Sequence, residues 1–349
     1  MSKFVQVSDL KRIEFGITSK CNAGCPLCAR HIANTSTPKS FPYLTQSNLP
    51  FSDFEKITNS LGNYTKNINC NFGGTVGDAM VHPDALNFFK LASSIYRKVT
   101  CDTNGGVRNK DFWSTLGKLS SQYPIYITFS IDGLKDTNPL YRINTNFDNI
   151  IDNAKTFIDA GGKADWKYIV FEHNQHQIDE ANTLSKQLGF TKFTTHHSRR
   201  FKLPTEKVSY DAYKKKASTV NSLVKQQGFE LSPSSVAKET IMPKIDGEIK
   251  CKSIEQGYLY VCEMNKLWPC CHFHSETTNA KWYNYWNIVE TKYGKNFNSL
   301  ENTTIEQLLN HEYFTEYLTS SWNDNTIQCY KCPETCTIKG TKFKIEETL

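Results

Sequence analysis

Short apolar segments, each long enough for one β-strand, alternate with stretches of helical periodicity through the first 200 residues. The predicted strands are 12–18, 68–72, 98–106, 125–133, 164–171 and 192–198, and the predicted helices are 51–62, 83–96, 110–120, 146–162 and 174–190. This regular alternation predicts parallel strands connected by right-handed helical crossovers. The fold class indicated for this part of the chain is therefore α/β.

Local signals mark several helix ends. Ser52, with Glu55 three residues later, predicts a capping box at the start of the first helix. Pro83 is typical of a helix start. The pair of glycines at 161–162 and the single Gly189 are typical of helix ends.

The remainder of the chain has a different composition. Residues 203–248 are charged and partly helical, then rich in Ser and Pro, which predicts a connector. Residues 249–349 form a smaller unit with a predicted hairpin, two apolar strands around Met264–Lys266. Asn265 tolerates the left-handed conformation that such a turn needs. The predicted organisation is thus a core domain over 1–202, the connector, and a C-terminal unit.

Polar and glycine-rich sequences follow the predicted strands. In parallel α/β folds, functional residues gather at the carboxyl ends of the strands. Those ends carry a cysteine-containing loop after residue 18, then GGTVGD (73–78), DTNGG (102–106), SIDG (130–133), FEHN (171–174) and HHSRR (196–200). We therefore expect one functional site at this edge of the sheet. The last of these sequences is equally consistent with an anion-binding loop and with a solvated basic loop.

Composition limits the class of protein. The chain has 349 residues, 38% hydrophobic and 13% aromatic, and a formal charge of +6, which fits a packed globular protein without requiring nucleic acid. No apolar run approaches the roughly 20 residues of a membrane span, and no secretory signal follows Met1, so we expect a soluble, cytoplasmic protein. In a reducing compartment, its twelve cysteines favour metal or redox chemistry over disulfides.

Three cysteines lie in the first loop: Cys21, Cys25 and Cys28. A thioredoxin-like pair would use two of them and leave Cys21 unexplained. A structural zinc site needs a fourth ligand, from His31 or a distant cysteine. A [4Fe–4S] cluster held by three thiolates would leave one iron open for catalysis.

A C-x3-C-x2-C motif directly after the first strand of a βα repeat resembles the radical S-adenosylmethionine (radical SAM) enzymes. The resemblance covers about residues 10–200 and implies a partial (β/α)6 TIM-like barrel. It implies that the three thiolates hold a [4Fe–4S] cluster whose open iron binds SAM. An external one-electron reductant of the flavodoxin or ferredoxin type then initiates SAM cleavage. The resulting 5'-deoxyadenosyl radical abstracts hydrogen from a substrate carbon.

The resemblance also implies SAM-binding positions. Gly77 and Asp78 lie where the family usually has Gly-Gly-Glu-Pro, whose backbone contacts the SAM amino group. Asn104 and Ser130 match the ends of the third and fourth strands. Ser130 and Arg142 are expected to contact the SAM ribose or carboxylate, and the Arg fork suits a carboxylate.

Two features depart from the family pattern. Asp78 and Ala79 replace Glu and Pro, which a backbone contact tolerates. Leu27 stands where many members place an aromatic residue beside the adenine, so stacking there is weaker or absent.

The C-terminal cysteines resemble the SPASM/twitch extensions of radical SAM enzymes. The pattern Cys251-x13-Asn265-x4-Cys270 matches their opening motif, with Asn at the usual Gly. The resemblance implies a small, cysteine-rich auxiliary domain containing the hairpin and one auxiliary [4Fe–4S] cluster. Its ligands would be Cys251, Cys270 and two of a final group, with Cys262 as a possible replacement. That final group is Cys329, Cys332 and Cys336. A structural zinc ribbon is the alternative.

The other cysteines have separate interpretations. Cys271 directly follows a predicted ligand, at the place where the related sulfatase-maturing enzymes carry a catalytic carboxylate. It could donate a hydrogen atom, take a proton, or simply pack beside the cluster. Cys70 and Cys101 lie in apolar strand segments and are predicted to be buried core thiols.

The function implied is that of a radical SAM enzyme. Members with auxiliary domains often modify peptides or proteins by oxidation, cross-linking or epimerisation, which we expect first. Dehydrogenation of a sugar or aminocyclitol is the alternative, and a nucleic-acid substrate ranks below both because no basic–aromatic array is present. A non-enzymatic zinc-binding interaction module is the alternative from a different class.

Overall fold

The computed structural model describes residues 4–26, 28–31, 40, 44–197, 248–277, 283–322, 332 and 336–338. Its strands are β1 (Arg12–Phe15), β2 (Asn69–Phe72), β3 (Lys98–Thr103), β4 (Ile125–Ser130), β5 (Lys163–Val170), β6 (Lys192–His197), β7 (Glu248–Ile249), β8 (Tyr258–Val261), β9 (Leu267–Trp268) and β10 (Thr337–Ile338). Eight of them form one sheet in the order β6-β5-β4-β3-β2-β1-β8-β9, and only β9 runs antiparallel to its neighbour. The fold is a mostly parallel α/β sheet.

Helices follow the first five strands. In chain order they are α1 (Phe51–Leu61), α2 (Ala85–Ile95), α3 (Lys110–Gln122), α4 (Asn138–Tyr141), α5 (Phe147–Asp159) and α6 (Ile178–Leu188). The C-terminal region contributes α7 (Lys252–Gln256), α8 (Cys271–Thr277), α9 (Tyr283–Tyr293), α10 (Ile305–Leu309), a π-helical turn (Tyr313–Tyr317) and α11 (Leu318–Ser320). All six predicted strands and all five predicted helices of the first 200 residues form, with shifts of a few residues at their ends. None of the helices in the described ranges is both long and apolar enough to cross a membrane.

The predicted capping box of the first helix is wrong. Helix α1 begins at Phe51, one residue before Ser52, and Pro50 occupies the N-cap position with no side-chain cap bond. The fixed φ of Pro50, −58°, leads the chain directly into the first turn. Ser52 therefore lies inside the helix. A side-chain cap does occur at α3, where Asn109 Oδ1 accepts the Phe112 N–H at 3.0 Å.

The two faces of the sheet differ in polarity. Residues facing the helices are fully buried and apolar, as with Phe72, Phe129 and Trp166, and they pack against helix residues such as Phe88 and Trp113. Cys70 and Cys101 are buried in this same core, as predicted. The alternate positions are half-buried and mostly polar, which is unusual because parallel sheets are normally apolar on both faces. This inner face is therefore the polar and more accessible side of the sheet.

The predicted hairpin forms, and it joins the main sheet. Strand β8 pairs in parallel with β1, with Ile13 opposite Leu259. Gly257, at φ +58°, ends α7 and brings the chain so close to β1 that a Cβ there would overlap the Asp9 carbonyl oxygen. Asn265 has the predicted left-handed conformation, with φ +55°, in the turn before β9. The connector predicted for 203–248 lies outside the described residues, except for residue 248.

Candidate active site

The loop after β1 brings its three cysteines to the carboxyl end of the sheet. Cys25 is buried and Cys21 and Cys28 are half-buried, and all three pack against one apolar cluster. Tyr141 and Phe171 from the fourth and fifth strand ends belong to that cluster, with ring centroids 4.4 Å apart. The three cysteines therefore share one partly buried, apolar environment.

Hydrogen-bond donors point at two of these sulfur atoms. Cys21 Sγ accepts from Ala23 N at 3.4 Å and from Asn104 Nδ2 at 3.7 Å. Cys25 Sγ accepts from Arg142 Nη1 at 3.6 Å. Burial nevertheless raises the pKa of both thiols, that of Cys21 to about 12. The N–H donors stabilise a negatively charged sulfur, whereas burial destabilises a thiolate that has no positive partner. Both features suit thiolates that are bound to the iron ions of a metal cluster.

Asp78 ties the second and third strand ends to the cysteine loop. Its carboxylate accepts from Met80 N at 3.0 Å, from Thr103 Oγ1 at 2.9 Å and from Asn104 N at 2.8 Å. Asn104 Nδ2 donates to Asp78 Oδ2 at 2.7 Å and to Asn22 Oδ1 at 2.9 Å. The side chain of Asp78 is thus used within the protein, and its carbonyl also accepts from Val81 N at 2.9 Å.

Gly77 allows two backbone segments to approach each other. Asp78 N donates to the Lys20 carbonyl at 2.9 Å, which holds the glycine-rich loop against the cysteine loop. A Cβ at Gly77 would overlap the Thr18 carbonyl oxygen. This contact gives a physical reason for glycine at the position.

A buried ion pair lies beside Cys25. Arg142 Nε contacts Asp132 Oδ2 at 2.7 Å, with side-chain exposures of 14% and 0%. Asp132 Oδ1 also accepts from Ile169 N at 2.7 Å, so strand β5 fixes the carboxylate. Burial opposes the charge on Arg142, but Asp132 and the Cys25 sulfur outweigh it and raise the Arg142 pKa. Asp132 therefore positions a permanently charged guanidinium at the cysteine loop.

Two other predicted positions have less detailed surroundings. Ser130 is the last residue of β4, half-buried on the inner face and paired in register with Lys167 of β5. Leu27, and Ser198 to Arg200 of the basic loop, lie outside the described residues.

The C-terminal cysteines come together from distant parts of the sequence. Cys251 precedes α7, and the β7–β10 pairing places Cys336 beside it, with Lys250 N donating to the Cys336 carbonyl at 2.9 Å. Burial is the main cause that raises the pKa of Cys251 and Cys270; the nearby Cys336 raises that of Cys251 further, and Cys271 and Cys251 raise that of Cys270 further. Cys332 is buried in the main core, and Cys329 lies outside the described residues.

Cys271 begins α8 beside β1 and β8. Burial and the nearby Glu14 carboxyl raise its thiol pKa to about 11, with Tyr258 and Thr75 as hydrogen-bonding neighbours. Tyr258 OH donates to Glu14 Oε2 at 2.9 Å, and Thr75 Oγ1 donates to Glu14 Oε1 at 3.4 Å. Burial raises the pKa of Glu14 as well. Cys262 lies elsewhere on the hairpin, next to Glu263 and His274.

Several residues of the site were missed by sequence reasoning. Glu14 and Tyr258 lie 244 positions apart and meet only because β1 pairs with β8. Asn22 gave no signal beyond its place between two cysteines. Asp132 lies in the SIDG sequence, ten residues before Arg142. An acidic and a basic residue near the same strand end are a signal from which their ion pair could be predicted.

Comparison with known proteins shows similarity of fold. No protein-family model matches the sequence, and no curated protein matches it. The structure is similar to that of anSMEcpe with bound AdoMet and Cp18Cys peptide, at 12% identity and a TM-score of 0.51, covering 94% of this chain and 88% of that one. It is also similar to Streptococcus suis SuiB bound to precursor peptide SuiA, at 14% identity and a TM-score of 0.50, covering 76% of this chain and 60% of SuiB.

Proposed function

We propose that this protein is a radical SAM enzyme that modifies a peptide or protein. The observation that carries the proposal is the three-cysteine loop at the carboxyl end of β1, whose sulfur atoms accept N–H donors from Asn104 and Arg142. The fold supports it, because anSMEcpe with bound AdoMet and SuiB with a bound precursor peptide have similar structures.

The chain's own residues would hold and orient the cofactors. Cys21, Cys25 and Cys28 are the ligands for a [4Fe–4S] cluster with one open position. When bound, the cluster and SAM would supply a 5'-deoxyadenosyl radical, with the electron coming from an external reductant of the flavodoxin or ferredoxin type. Arg142, oriented by Asp132, offers its remaining N–H groups to the SAM carboxylate.

The other SAM contacts follow from the strand ends. Gly77 would present its backbone carbonyl to the SAM amino group, while Asp78, whose carboxylate and backbone are already hydrogen-bonded within the protein, would hold this loop in place. Asn104 fixes that loop against Cys21, and Ser130 at the end of β4 contacts the ribose or carboxylate. Each of these residues would therefore act by positioning SAM, and the radical carbon that abstracts hydrogen would belong to SAM and not to the protein.

The polar inner face of the sheet favours a polar substrate. Asn71 Nδ2 donates to Thr100 Oγ1 at 2.7 Å on this face, and Thr128 and Lys167 lie on neighbouring strands. Such groups can hydrogen-bond a peptide backbone that lies along this face. The same chemistry suits a sugar or aminocyclitol, which is the second candidate substrate class.

Cys271 is proposed to complete the reaction. Its helix places the thiol beside Glu14 and Tyr258, which orient it. There the protonated thiol would donate a hydrogen atom to the substrate radical and become a thiyl radical, which one electron and one proton would return to the thiol. Cys251, Cys270 and two further C-terminal cysteines, among them Cys336, would hold an auxiliary [4Fe–4S] cluster, which would pass that electron from the external flavodoxin- or ferredoxin-type reductant to the thiyl radical.

Iron and acid-labile sulfide content tests the proposal after anaerobic reconstitution, together with 5'-deoxyadenosine formation from SAM and dithionite. About eight iron atoms per chain with 5'-deoxyadenosine formation would support both cluster sites. About four iron atoms per chain with 5'-deoxyadenosine formation would support a radical SAM enzyme but would exclude the auxiliary cluster. Stoichiometric zinc with little iron and no 5'-deoxyadenosine would instead support a zinc-binding interaction module.

The role of Cys271 has its own test. We expect Cys271→Ala to keep its iron content and SAM cleavage but to lose product formation on any peptide that the wild type modifies. The matched control is Cys101→Ala, which removes a buried thiol from the core behind the sheet. Unchanged product formation by Cys271→Ala at full iron content would exclude the role.

A further inference from the structure

A second set of metal-binding side chains lies under the hairpin and takes no part in the proposed reaction. Cys262 follows β8, Glu263 is the next residue of the turn, and His274 is on α8. A sulfur, a carboxylate oxygen and an imidazole nitrogen from these residues all lie within 4.8 Å of one another. Within the described ranges, this is the one trio of His, Cys, Asp or Glu side chains that converges so closely.

The trio is sealed from solvent. The side chains of His274 and Glu263 are 0% and 1% exposed, and Cys262 is 0% exposed. A carboxylate in such a place requires a compensating positive charge or hydrogen bonds. Glu263 Oε2 accepts no hydrogen bond of ordinary geometry from the residues that the structure covers, but it forms an ion pair with His274 Nε2, 3.4 Å away. That separation exceeds the ~2.7–2.9 Å of a strong charge-assisted hydrogen bond.

The local fold holds these donors in place. Cys262 N donates to the Lys266 carbonyl and Asn265 N donates to the Cys262 carbonyl, both at 3.0 Å, so the turn is closed. The His274 ring stacks on Tyr260, with centroids 5.4 Å apart and an interplanar angle of 28°. Ligands that are fixed before binding lose little conformational entropy when a metal arrives.

We propose that Cys262, Glu263 and His274 bind a zinc ion. Thiolate, imidazole and carboxylate are the three ligand types that zinc takes in proteins, usually in four-coordinate sites. Asn265 is on the same turn, and its buried Oδ1 atom accepts no hydrogen bond from the described part of the chain, so it or a water molecule can complete the coordination. The proposal does not depend on the iron–sulfur chemistry.

Such a site would connect two parts of the C-terminal region. The hairpin turn supplies Cys262 and Glu263, and the helix α8 supplies His274. Because α8 begins at Cys271, a metal at the trio would fix the helix that carries this thiol. We therefore assign the zinc a structural role next to the active site.

The test uses the full-length protein, reconstituted with iron and sulfide so that the cluster cysteines are occupied, and then equilibrated with zinc. We expect about one zinc per chain to be retained. X-ray absorption at the zinc edge should show one sulfur at about 2.3 Å and nitrogen or oxygen ligands at about 2.0–2.2 Å. The zinc-loaded wild type should also melt at a higher temperature than the zinc-free wild type.

Variants identify the ligands. Cys262→Ser and His274→Gln should each weaken zinc binding by more than the ~10–100-fold typical of changes outside the ligand set, with iron content unchanged. Cys70→Ser is the matched control, because it alters an equally buried thiol on β2 and should leave zinc binding unchanged.

Three results would overturn the proposal. One is a wild-type protein that retains no zinc and shows no zinc-dependent rise in melting temperature, a measurement that needs no variant to fold. Another is a zinc environment of three or four sulfur atoms, which would place the metal at the cluster cysteines. The third is loss of iron in Cys262→Ser, which would make Cys262 a ligand of the auxiliary cluster.

Discussion

The two cysteine-rich regions of the molecule are organised in different ways. The first is a single loop, Cys21 to Cys28, and its polar partners Asp78, Asn104 and Arg142 come from the neighbouring strand ends. The second gathers Cys251, Cys270 and Cys336 from segments that are far apart in sequence. The first is therefore defined by local spacing, and the second by strand pairing.

The difference also concerns charge. Beside the first region lies a buried guanidinium, and N–H donors point at the sulfur atoms. Beside the second lies the carboxyl of Glu14, hydrogen-bonded by Tyr258, close to Cys271. A cationic surrounding suits an anionic ligand such as the SAM carboxylate, whereas an acidic one suits proton transfer. The two regions thus differ in the electrostatic surroundings that they offer a bound group.

Removing one thiol from each region is expected to give the largest and most contrasting effects. Cys25→Ala should reduce 5'-deoxyadenosine formation from SAM by at least ~100-fold, since loss of a ligand exceeds the effect of losing its supporting contacts. Cys251→Ala should lose about half of the iron and retain most of that activity. Iron analysis and chromatographic assay of 5'-deoxyadenosine measure both. Equal loss of SAM cleavage in the two variants would show that the regions are not separable.

The buried ion pair of the first region is expected to dominate local stability. Asp132→Asn leaves the Arg142 charge buried without its partner, and we expect unfolding free energy to fall by about 3–5 kcal/mol. Urea unfolding followed by circular dichroism measures it. The control is Asp148→Asn, which breaks the exposed pair with Lys135, 2.6 Å apart, and should cost about 1 kcal/mol or less. A comparable loss in the control would contradict the role of burial.

The same contrast explains what the sequence could predict. The strands, the helices and the glycine-rich ends of 73–78 and 102–106 follow local periodicity and turn chemistry, so they were found from sequence. The pairing of β1 with β8 was not found, because strands separated by more than 240 residues leave no local signal of their register.

The polar contacts of the site were predictable only in part. Asn104 and Arg142 were identified through a resemblance, yet nothing in the sequence showed that each donates to a cysteine sulfur. Glu14 looked like one polar residue in a strand, and its burial depends on the hairpin that covers it. Ser52 shows the opposite error. Its sequence pattern predicts an N-cap, but the fixed φ of Pro50 starts the helix one residue earlier.

Gly77→Ala tests the close approach of the glycine-rich loop to the cysteine loop in the first region. The added Cβ would overlap the Thr18 carbonyl, and moving that backbone should cost about 1–3 kcal/mol of unfolding free energy and weaken SAM binding. Urea unfolding and isothermal titration with SAM measure the two effects. Gly62→Ala is the control, because its φ of +51° is strained but a Cβ there meets no neighbour, so SAM binding should be unchanged. Wild-type SAM affinity in Gly77→Ala would argue against the close backbone approach.

Tyr258→Phe should give the smallest effect and test the second region. It removes the hydrogen bond to Glu14 Oε2 and should cost about 1 kcal/mol at neutral pH. Burial already raises the Glu14 pKa, and the Tyr258 hydrogen bond lowers it, so the variant should raise it further. A raised pKa in the folded protein means that stability is lost as pH rises through that value. The cost of Tyr258→Phe should therefore be smallest at low pH, where Glu14 is protonated in both proteins, and should grow as the pH increases.

The control for that pH dependence is Tyr64→Phe, which changes an exposed tyrosine and should alter stability equally little at every pH. Urea unfolding at several pH values compares the two variants. A cost for Tyr258→Phe that does not change with pH would mean that the phenol contributes packing alone. It would also mean that the carboxyl beside Cys271 does not titrate as part of the hydrogen-bonded group. The acidic character of the second region, and its contrast with the first, would then be lost.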